Sequence, residues 1–282
     1  MSENPEATSP QSFGKRLVRV LPYVGVVVAI IILVSPSLVD FVSALRANSH
    51  ISMLSSTVDV MPAEQKQYLL DQAIRYNARL AGMASPDDTE ELLPYEKQLA
   101  ADDTTMMSWV EIQSIDIQLP IYHGTEEAEL SAGVGHLQMS SLPVGGASTH
   151  CVLTAHSGMD TSRMFDDIRM LETGDEFVLW TLGEPYAYEV TGSEVVEPNE
   201  MSSLGIQPGE DLCTLVTCTP YGVNSHRLLV HAKRCAYDPQ VIQAGPVRVS
   251  SRNVPVYGAF ALIAATVLII VILGLWKKTL HR

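Results

Sequence analysis

The stretch from Thr214 to Val230, TLVTCTPYGVNSHRLLV, consists of two β-rich runs separated by a turn that contains Pro220 and Gly222. Aliphatic and β-branched residues on both sides of such a turn are typical of two consecutive strands. The first run ends at Cys218, and Arg227 stands at the start of the second. If the two runs pair as a hairpin, a thiol and a guanidinium come together at its turn end.

Similar short β-rich runs occupy the chain from Trp109 onward. They are separated by Gly, Pro, Asp and Asn, and they read SWVEI, QLPIYHG, HCVLTAH, DEFVLWTL, YAYEVTGSEVVE, DLCTLVTC and RLLVHAK. Many short strands without long intervening helices favour an all-β barrel or sandwich over an α/β sheet. We therefore expect one β domain over residues 109–240.

The part before this domain, residues 40–108, is expected to be a helical extension followed by a loop. Residues 61–80 place apolar side chains at a helical spacing, and Pro62 stands near the start, where proline is tolerated. The apolar positions are Leu69, Leu70, Ala73, Ile74 and Leu80. Residues 84–105 are acidic and contain two prolines, which predicts a loop with one helical turn at most.

Two apolar segments flank the middle of the chain. Residues 254–276 form an uncharged run of 23 residues, and a helix that spans a bilayer needs about 20. Residues 17–39 are predicted to be a second membrane helix or signal anchor. The alternative is a cleaved leader, because a basic start precedes the apolar run and Val42-Ser43-Ala44 resembles a cleavage site. We expect the segment to be retained.

Basic residues lie outside both apolar segments, with Lys15, Arg16 and Arg19 before the first and Lys277, Lys278 and Arg282 after the second. Positive residues favour the cytoplasmic side. We therefore expect cytoplasmic tails at 1–16 and 277–282, a linker at 241–253, and the middle of the chain, residues 40–240, outside the cell membrane at the cell surface.

The formal net charge of the chain is −14. Several of its few basic residues lie in the tails, so the domain between the apolar segments is strongly acidic. An acidic surface repels the phosphate backbone. Nucleic acid is therefore excluded as a partner.

The four cysteines are Cys151, Cys213, Cys218 and Cys235, and none forms a C-x-x-C pair. A structural zinc site is therefore not expected, and no cofactor is predicted. Cys213 and Cys218 lie roughly 16 Å apart along one strand, which is too far for a disulfide, whose Cα atoms lie within about 7 Å. The other three cysteines fit either buried thiols or disulfide partners, whereas Cys218 lies at the end of a strand beside an exposed turn.

His156 in VLTAHSG also follows a β-like run, so it has the same strand-end position as Cys218. Seven other histidines compete for a catalytic role: His50, His123, His136, His150, His226, His231 and His281. Strand alternation places Arg227, Leu229 and His231 on one face. We expect that face to line a barrel, where a guanidinium requires an anion.

The motifs LPIYHGT, GVGHLQMSSLPVGG and VLTAHSG, together with TLVTCTPYGVNSHRLLV, resemble those of the sortase family, and specifically its class C, pilin-polymerising type. The resemblance covers roughly residues 109–234. It implies a closed eight-stranded β-barrel with Cys218 as nucleophile and with His156 and Arg227 as its catalytic partners. One departure is Ala155-His156-Ser157-Gly158, where class C members often have Gly-His-Arg-Gly.

The resemblance further implies cleavage of a Leu-Pro-any-Thr-Gly-like (LPXTG-like) sorting signal between Thr and Gly through a thioacyl intermediate. The acceptor would be a lysine of the next pilin subunit, and the product an isopeptide bond. Alternatives are a housekeeping sortase that attaches proteins to the cell wall, a Cys-His hydrolase that uses water, and a membrane-anchored scaffold or adhesin with an inert Cys218.

Class C sortases commonly carry a lid in which an aromatic residue after Asp-Pro covers the nucleophile. This chain has Ser85-Pro86-Asp87 and Leu93-Pro94-Tyr95 instead. The segment from Tyr95 resembles the family's sequence after the lid, so Tyr95 is not expected to be the covering ring. We expect a degenerate lid that leaves Cys218 accessible.

Overall fold

Eight β-strands close into a barrel in the computed structural model, which describes residues 42–85, 91–102, 104–158, 163–239 and 264. The order of the strands around the barrel is β1-β2-β3-β4-β7-β8-β6-β5. Their bounds are β1 Met106–Ile112, β2 Ile117–His123, β3 Val134–His136, β4 Thr149–Thr154, β5 Glu176–Thr181, β6 Glu184–Val196, β7 Asp211–Thr219 and β8 His226–Arg234. The closed eight-stranded barrel implied by the family resemblance is confirmed.

Seven of these strands fall on the predicted β-rich runs, and the eighth, β3, was missed. It is only Val134, Gly135 and His136, paired parallel to β2 and antiparallel to β4. A Cβ atom on Gly135 would lie 2.5 Å from the carbonyl oxygen of Gly124. The strand therefore needs a glycine at its centre, which removes the β-branched pattern that identifies strands. The barrel also begins at Met106, before the predicted boundary at residue 109.

The three strands that carry the predicted site are neighbours in the sheet. β4 runs parallel to β7, with Cys151 opposite Cys213 and Thr154 opposite Val216. β7 runs antiparallel to β8, with Cys218 opposite Arg227. Because a parallel pair ends on the same side, the carboxyl ends of β4 and β7 and the amino end of β8 meet at one edge of the barrel.

The barrel interior is filled by aliphatic and aromatic side chains. Its fully buried members include Leu153, Phe177, Leu179, Tyr188, Leu215 and Val230. Cys151 and Cys213 belong to the same core. All four cysteines lie among the described residues and have free thiols, so the disulfide alternative is not formed here. Burial raises the pKa of the Cys213 thiol well above its ordinary value, because a thiolate is poorly solvated there.

Two helices, α1 over 42–60 and α2 at Ala63–Leu80, precede the barrel and share its core. Ile51, Leu54 and Val58 of α1 and Leu69 and Ala73 of α2 are buried in one cluster with the barrel residues. The predicted helix is confirmed. The two helices nevertheless belong to the same compact unit as the barrel, because their apolar faces pack into the barrel's own core.

The predicted apolar face of α2 was wrong at one position. Ile74 is 51% exposed, whereas the polar residues Gln72 and Asn77 are buried. The Asn77 side chain donates a hydrogen bond to the carbonyl oxygen of Leu142 at 3.1 Å and accepts one from its backbone nitrogen at 2.7 Å. The buried face of α2 is therefore determined in part by the amide side chains of Gln72 and Asn77, which hydrophobic periodicity cannot detect.

The loop after α2 includes one short 3₁₀ helix, Tyr95–Lys97, as expected. Tyr95 is buried, and its ring packs against Tyr76, His123 and His136. Its hydroxyl group lies 2.9 Å from Nδ1 of His136 and accepts a hydrogen bond from the backbone of Gly124. Residues 86–90 lie outside the described residues. They belong to the stretch between Ser85 and Tyr95 in which a degenerate lid is predicted.

No helix among the described residues is long and apolar enough to cross a bilayer. The predicted membrane segments 17–39 and 254–276 lie outside those residues, except for Ala264. The predicted tails and the predicted linker lie outside them as well.

Replacing Asn77 by alanine should destabilise the protein by about 2–4 kcal/mol, because two buried backbone groups of Leu142 would lose their partner. Urea denaturation followed by circular dichroism on the full-length chain in detergent would measure this loss. Gln65, exposed on the same helix, provides the control, and Gln65→Ala should change the unfolding free energy by less than about 0.5 kcal/mol. Equal effects of the two substitutions would contradict this account of the helix contact.

Candidate active site

Cys218 and Arg227 face each other across the β7–β8 pair, close to the turn. Leu215 and Thr217 of β7 point into the buried side of the sheet, so Cys218 lies with Val216 on the outer side. Arg227 shares this outer side because directly opposed residues project to the same face. The expectation that Arg227 lines the barrel interior is therefore wrong: Val230 and Ala232, on the alternate face of β8, fill the interior.

His156 reaches the same edge from β4. The β4–β7 register pairs Thr154 with Val216, and the backbone nitrogen of Ala155 still donates to the carbonyl of Val216 at 3.1 Å. His156 lies two residues after Thr154, and Cys218 lies two residues after Val216, so the same register places His156 alongside Cys218. The structure thus brings together all three residues predicted from the sequence: Cys218 on β7, Arg227 on β8 and His156 just after β4.

Two hydroxyl groups fasten the end of β4 to the end of β7. Thr217 Oγ1 donates to the carbonyl of Ala155 at 2.8 Å, and Ser157 Oγ donates to the carbonyl of Cys218 at 2.5 Å. Ser157 is 7% exposed and Thr217 is 4% exposed, so both bonds are shielded from water. Ala155 and Ser157, which flank His156, are therefore bonded to Thr217 and Cys218. No sequence pattern indicated this role of the two hydroxyl groups.

The loops that follow β4 and β7 are in close contact. A Cβ atom on Gly158 would lie 2.9 Å from the backbone nitrogen of Gly222, and φ of Gly158 is +74°. Both facts require glycine at position 158. The Gly158 nitrogen donates to the half-buried carboxylate of Asp166 at 2.7 Å, and burial raises the pKa of Asp166. The backbone nitrogen of Phe165 donates to the carbonyl of His156 at 3.1 Å.

The guanidinium of Arg227 is held by its own turn. Its Nη1 atom donates to the carbonyl oxygens of Asn224 at 3.2 Å and His226 at 3.0 Å. Within the described parts of the chain no carboxylate pairs with it. Its remaining donors can therefore meet an anion that develops on a bound substrate.

The other described histidines have structural roles. Their partners are Tyr122 for His50, the Thr105 and Gln98 carbonyls for His123, Tyr95 and the Ser141 carbonyl for His136, the Gly205 carbonyl and Thr214 for His150, Ser225 and Glu197 for His226, and Thr214 and Glu194 for His231. Burial lowers the pKa of His123 and His150, because a charged ring is poorly solvated there. His281 lies outside the described residues. His156 is therefore distinguished by its position beside Cys218 on the outer face.

The sortase domain family matches residues 110–235 of the chain. Sortase C1 of Streptococcus agalactiae has a crystal structure that is 40% identical, with a TM-score of 0.63, covering 67% of this chain and 100% of that one. The chain belongs to the sortase family. Members of this family are cysteine transpeptidases, and the match contains the strands that carry Cys218, His156 and Arg227.

Two further relatives show the range of similarity within the sortases. Sortase C of Clostridium perfringens, solved with the C-terminal cell wall sorting motif, is 39% identical with a TM-score of 0.60, covering 67% of this chain and 99% of that one. Sortase D of Bacillus subtilis is 32% identical over 129 residues, which are 44% of this chain and 62% of that protein. The chain spans less than two thirds of the length of the first curated relatives that it matches.

Removing the Ser157 hydroxyl should weaken the contact between β4 and β7 without unfolding the barrel. We expect Ser157→Ala to lower the free energy of unfolding by about 1 kcal/mol, the usual value of one hydrogen bond, and to lower kcat for peptide cleavage several-fold because His156 and Cys218 lose their fixed spacing. Ser49→Ala is the control, because Ser49 is an exposed residue of α1 whose hydroxyl also donates to a carbonyl. An unchanged kcat in Ser157→Ala would show that the bond does not set the spacing.

Cys218 is partly exposed, and the end of the predicted lid at Leu93 is bonded to α2, because the backbone nitrogen of Leu93 donates to the Gln72 side chain at 2.9 Å. We expect a water-soluble thiol reagent to label Cys218 equally fast in the wild-type chain and in a variant with residues 85–91 replaced by a short Gly-Ser linker. Mass spectrometry of the labelled peptide would give the rates, with Cys235 as the internal reference. A tenfold acceleration by the replacement would mean that the loop covers the thiol.

Proposed function

We propose that this chain is a class C type sortase that joins pilin subunits through lysine isopeptide bonds. The observation that carries the proposal is the meeting of Cys218, His156 and Arg227 at one edge of the barrel, on the neighbouring strands β7, β4 and β8. The similarity to sortases C supports the class, and the structure of one of them with a cell wall sorting motif supports a substrate of that kind.

In the proposed reaction the thiol proton of Cys218 passes to His156, and the thiolate attacks the Thr carbonyl of an LPXTG-like sorting signal. The attack forms a tetrahedral oxyanion, and a thioester follows when the Thr–Gly bond breaks. His156 donates a proton to the leaving glycine amine. It then accepts a proton from the lysine amine of the next pilin, which attacks the thioester and releases the Cys218 thiolate. Covalent catalysis of this kind divides one difficult substitution into two easier ones.

Arg227 stabilises the oxyanion or holds the peptide backbone in this scheme. Its Nη1 atom is engaged by two carbonyl oxygens of the β7–β8 turn, so the guanidinium is positioned before substrate arrives. Preorganised donors are worth more than donors that must reorganise during the reaction. The planar shape of the group matters as well as its charge, because one side of it is already used for the turn.

We further propose that the catalytic domain lies on the outside of the cell membrane, anchored by residues 17–39 and 254–276. The long uncharged run at 254–276 and the basic residues outside both segments support this placement. A membrane-held enzyme of this kind would meet its pilin substrates at the surface where they are assembled.

Substitution of the three site residues should remove activity in a graded way. Cys218→Ala should abolish product formation, His156→Ala should reduce it by at least about 100-fold, and Arg227→Lys should reduce it strongly because an ammonium does not reproduce a planar fork. Arg169→Lys, at an exposed position, is the matched control. The assay incubates the full-length chain in detergent with an LPXTG-like peptide and a lysine amine, followed by mass spectrometry. Normal product from Cys218→Ala would refute the mechanism.

The same assay separates the alternatives. Covalent ladders with candidate pilin subunits on a denaturing gel indicate pilin polymerisation. Joining of the peptide to a peptidoglycan amine alone indicates a housekeeping sortase, and release of the free Thr carboxylate indicates a hydrolase.

A further inference from the structure

The carboxylate of Glu127 lies beside the ring of His156. Glu127 is the first residue of α3, Glu127–Ala132, in the connection between β2 and β3. Its Oε2 atom is 3.5 Å from Nε2 of His156, while its Oε1 atom accepts a hydrogen bond from Ser131 Oγ at 2.9 Å. The two carboxylate oxygens therefore have different neighbours: Ser131, one helical turn further on, bonds Oε1, and Oε2 is turned toward His156.

The His156 atom that faces Glu127 is otherwise without a partner. Nε2 is shielded from water, and no hydrogen bond from a described residue reaches it. At 3.5 Å the pair is too long for a formed hydrogen bond, which needs about 2.7–3.2 Å. Catalytic hydrogen bonds are often long in an unliganded site and shorten when substrate binds. The Glu127 side chain, 77% exposed, has the freedom to close this gap.

We propose that Glu127 is a positioning residue that fixes the tautomer and orientation of His156. An ionised carboxylate can only accept a hydrogen bond, so the proton of the neutral imidazole must be on Nε2 to meet it. Nδ1 then carries the lone pair and is the nitrogen that accepts a proton from the attacking amine. The inference rests on the proposed function of His156 and adds to it the residue that prepares the ring.

The position of α3 makes this contact a fixed feature of the fold. Gly133, which ends the helix, packs so closely that a Cβ atom there would lie 2.6 Å from the carbonyl oxygen of Pro120 in β2. The helix is therefore seated on the barrel immediately before β3, the strand that pairs with β4. Because His156 follows β4, Glu127 and His156 are held from adjacent strands.

A fixed carboxylate also helps when the ring becomes charged. During transfer of the acceptor proton His156 becomes an imidazolium, and the Nε2–H group then points at a negative oxygen. Water screens an exposed carboxylate, so its main effect is on orientation and tautomer. We therefore expect Glu127 substitutions to change kcat more than KM for the sorting peptide, because the carboxylate acts through His156.

Steady-state kinetics on the full-length chain in detergent measures the contribution to turnover. Glu127→Ala should lower kcat about 10-fold, less than the loss of about 100-fold or more expected when the general acid–base is itself removed, with KM for the sorting peptide unchanged. The decrease in kcat should be smaller for Glu127→Gln, because its amide oxygen still accepts a hydrogen bond. It should be smallest for Ser131→Ala. Glu126→Gln removes a charge from the adjacent exposed residue and should match the wild type. A kcat for Glu127→Ala equal to that of Glu126→Gln would overturn the proposal.

Nitrogen-15 NMR on histidine-labelled protein tests the tautomer without any turnover. At a pH where the ring is neutral, the wild type and Glu126→Gln should show His156 with its proton on Nε2 and a downfield proton signal there, assigned by its loss in His156→Ala. Glu127→Ala should lose that downfield signal. A wild-type proton on Nδ1, or the same spectrum in Glu127→Ala, would overturn the inference. If the wild type fails to join peptide and amine, the proposed function fails while the NMR result still decides the role of Glu127.

Discussion

The parallel pairing of β4 with β7 is the constraint on which the site depends. It places the carboxyl ends of two strands at one edge of the barrel, so His156 and Cys218, which are distant in the sequence, emerge side by side. The antiparallel partner β8 then begins where β7 ends, which brings Arg227 opposite Cys218. A shift of one residue in either register would turn these side chains to the other face of the sheet. The interior packing of Leu153, Leu215 and Val230 opposes any such shift, because each would leave the core.

Polar contacts inside the fold, like the apolar core, fix the positions of the helices and the loop that precede the barrel. Asn77 satisfies both backbone groups of Leu142, and Tyr95 links His136 to the backbone of Gly124. Buried amides and hydroxyl groups are stable only when they are paired, so each of these contacts allows one arrangement of helix, loop and strand. The helices before the barrel are thereby fixed by specific bonds as well as by shared hydrophobic packing.

Much of this arrangement could be predicted from the sequence, for identifiable reasons. The hairpin around Pro220 and Gly222 was visible in its alternation and turn residues, and the family motifs identified Cys218, His156 and Arg227. Periodicity failed where the determining contact is polar or depends on backbone proximity: Ile74 was placed on the buried face of α2 instead of Asn77, and β3 was missed because Gly135 must fit against Gly124. The side of the sheet that Arg227 occupies also could not be predicted, since alternation shows which residues share a face but not which face is inside.

The close approach of Gly158 to Gly222 limits which sequences this site tolerates. Gly158 lies two residues after His156 and Gly222 lies four residues after Cys218, so the two segments meet backbone to backbone at a point where neither has a side chain. Any larger residue at position 158 would act as a wedge between them. The separation of the histidine segment from the cysteine segment is therefore limited by main-chain contact and not by side-chain size.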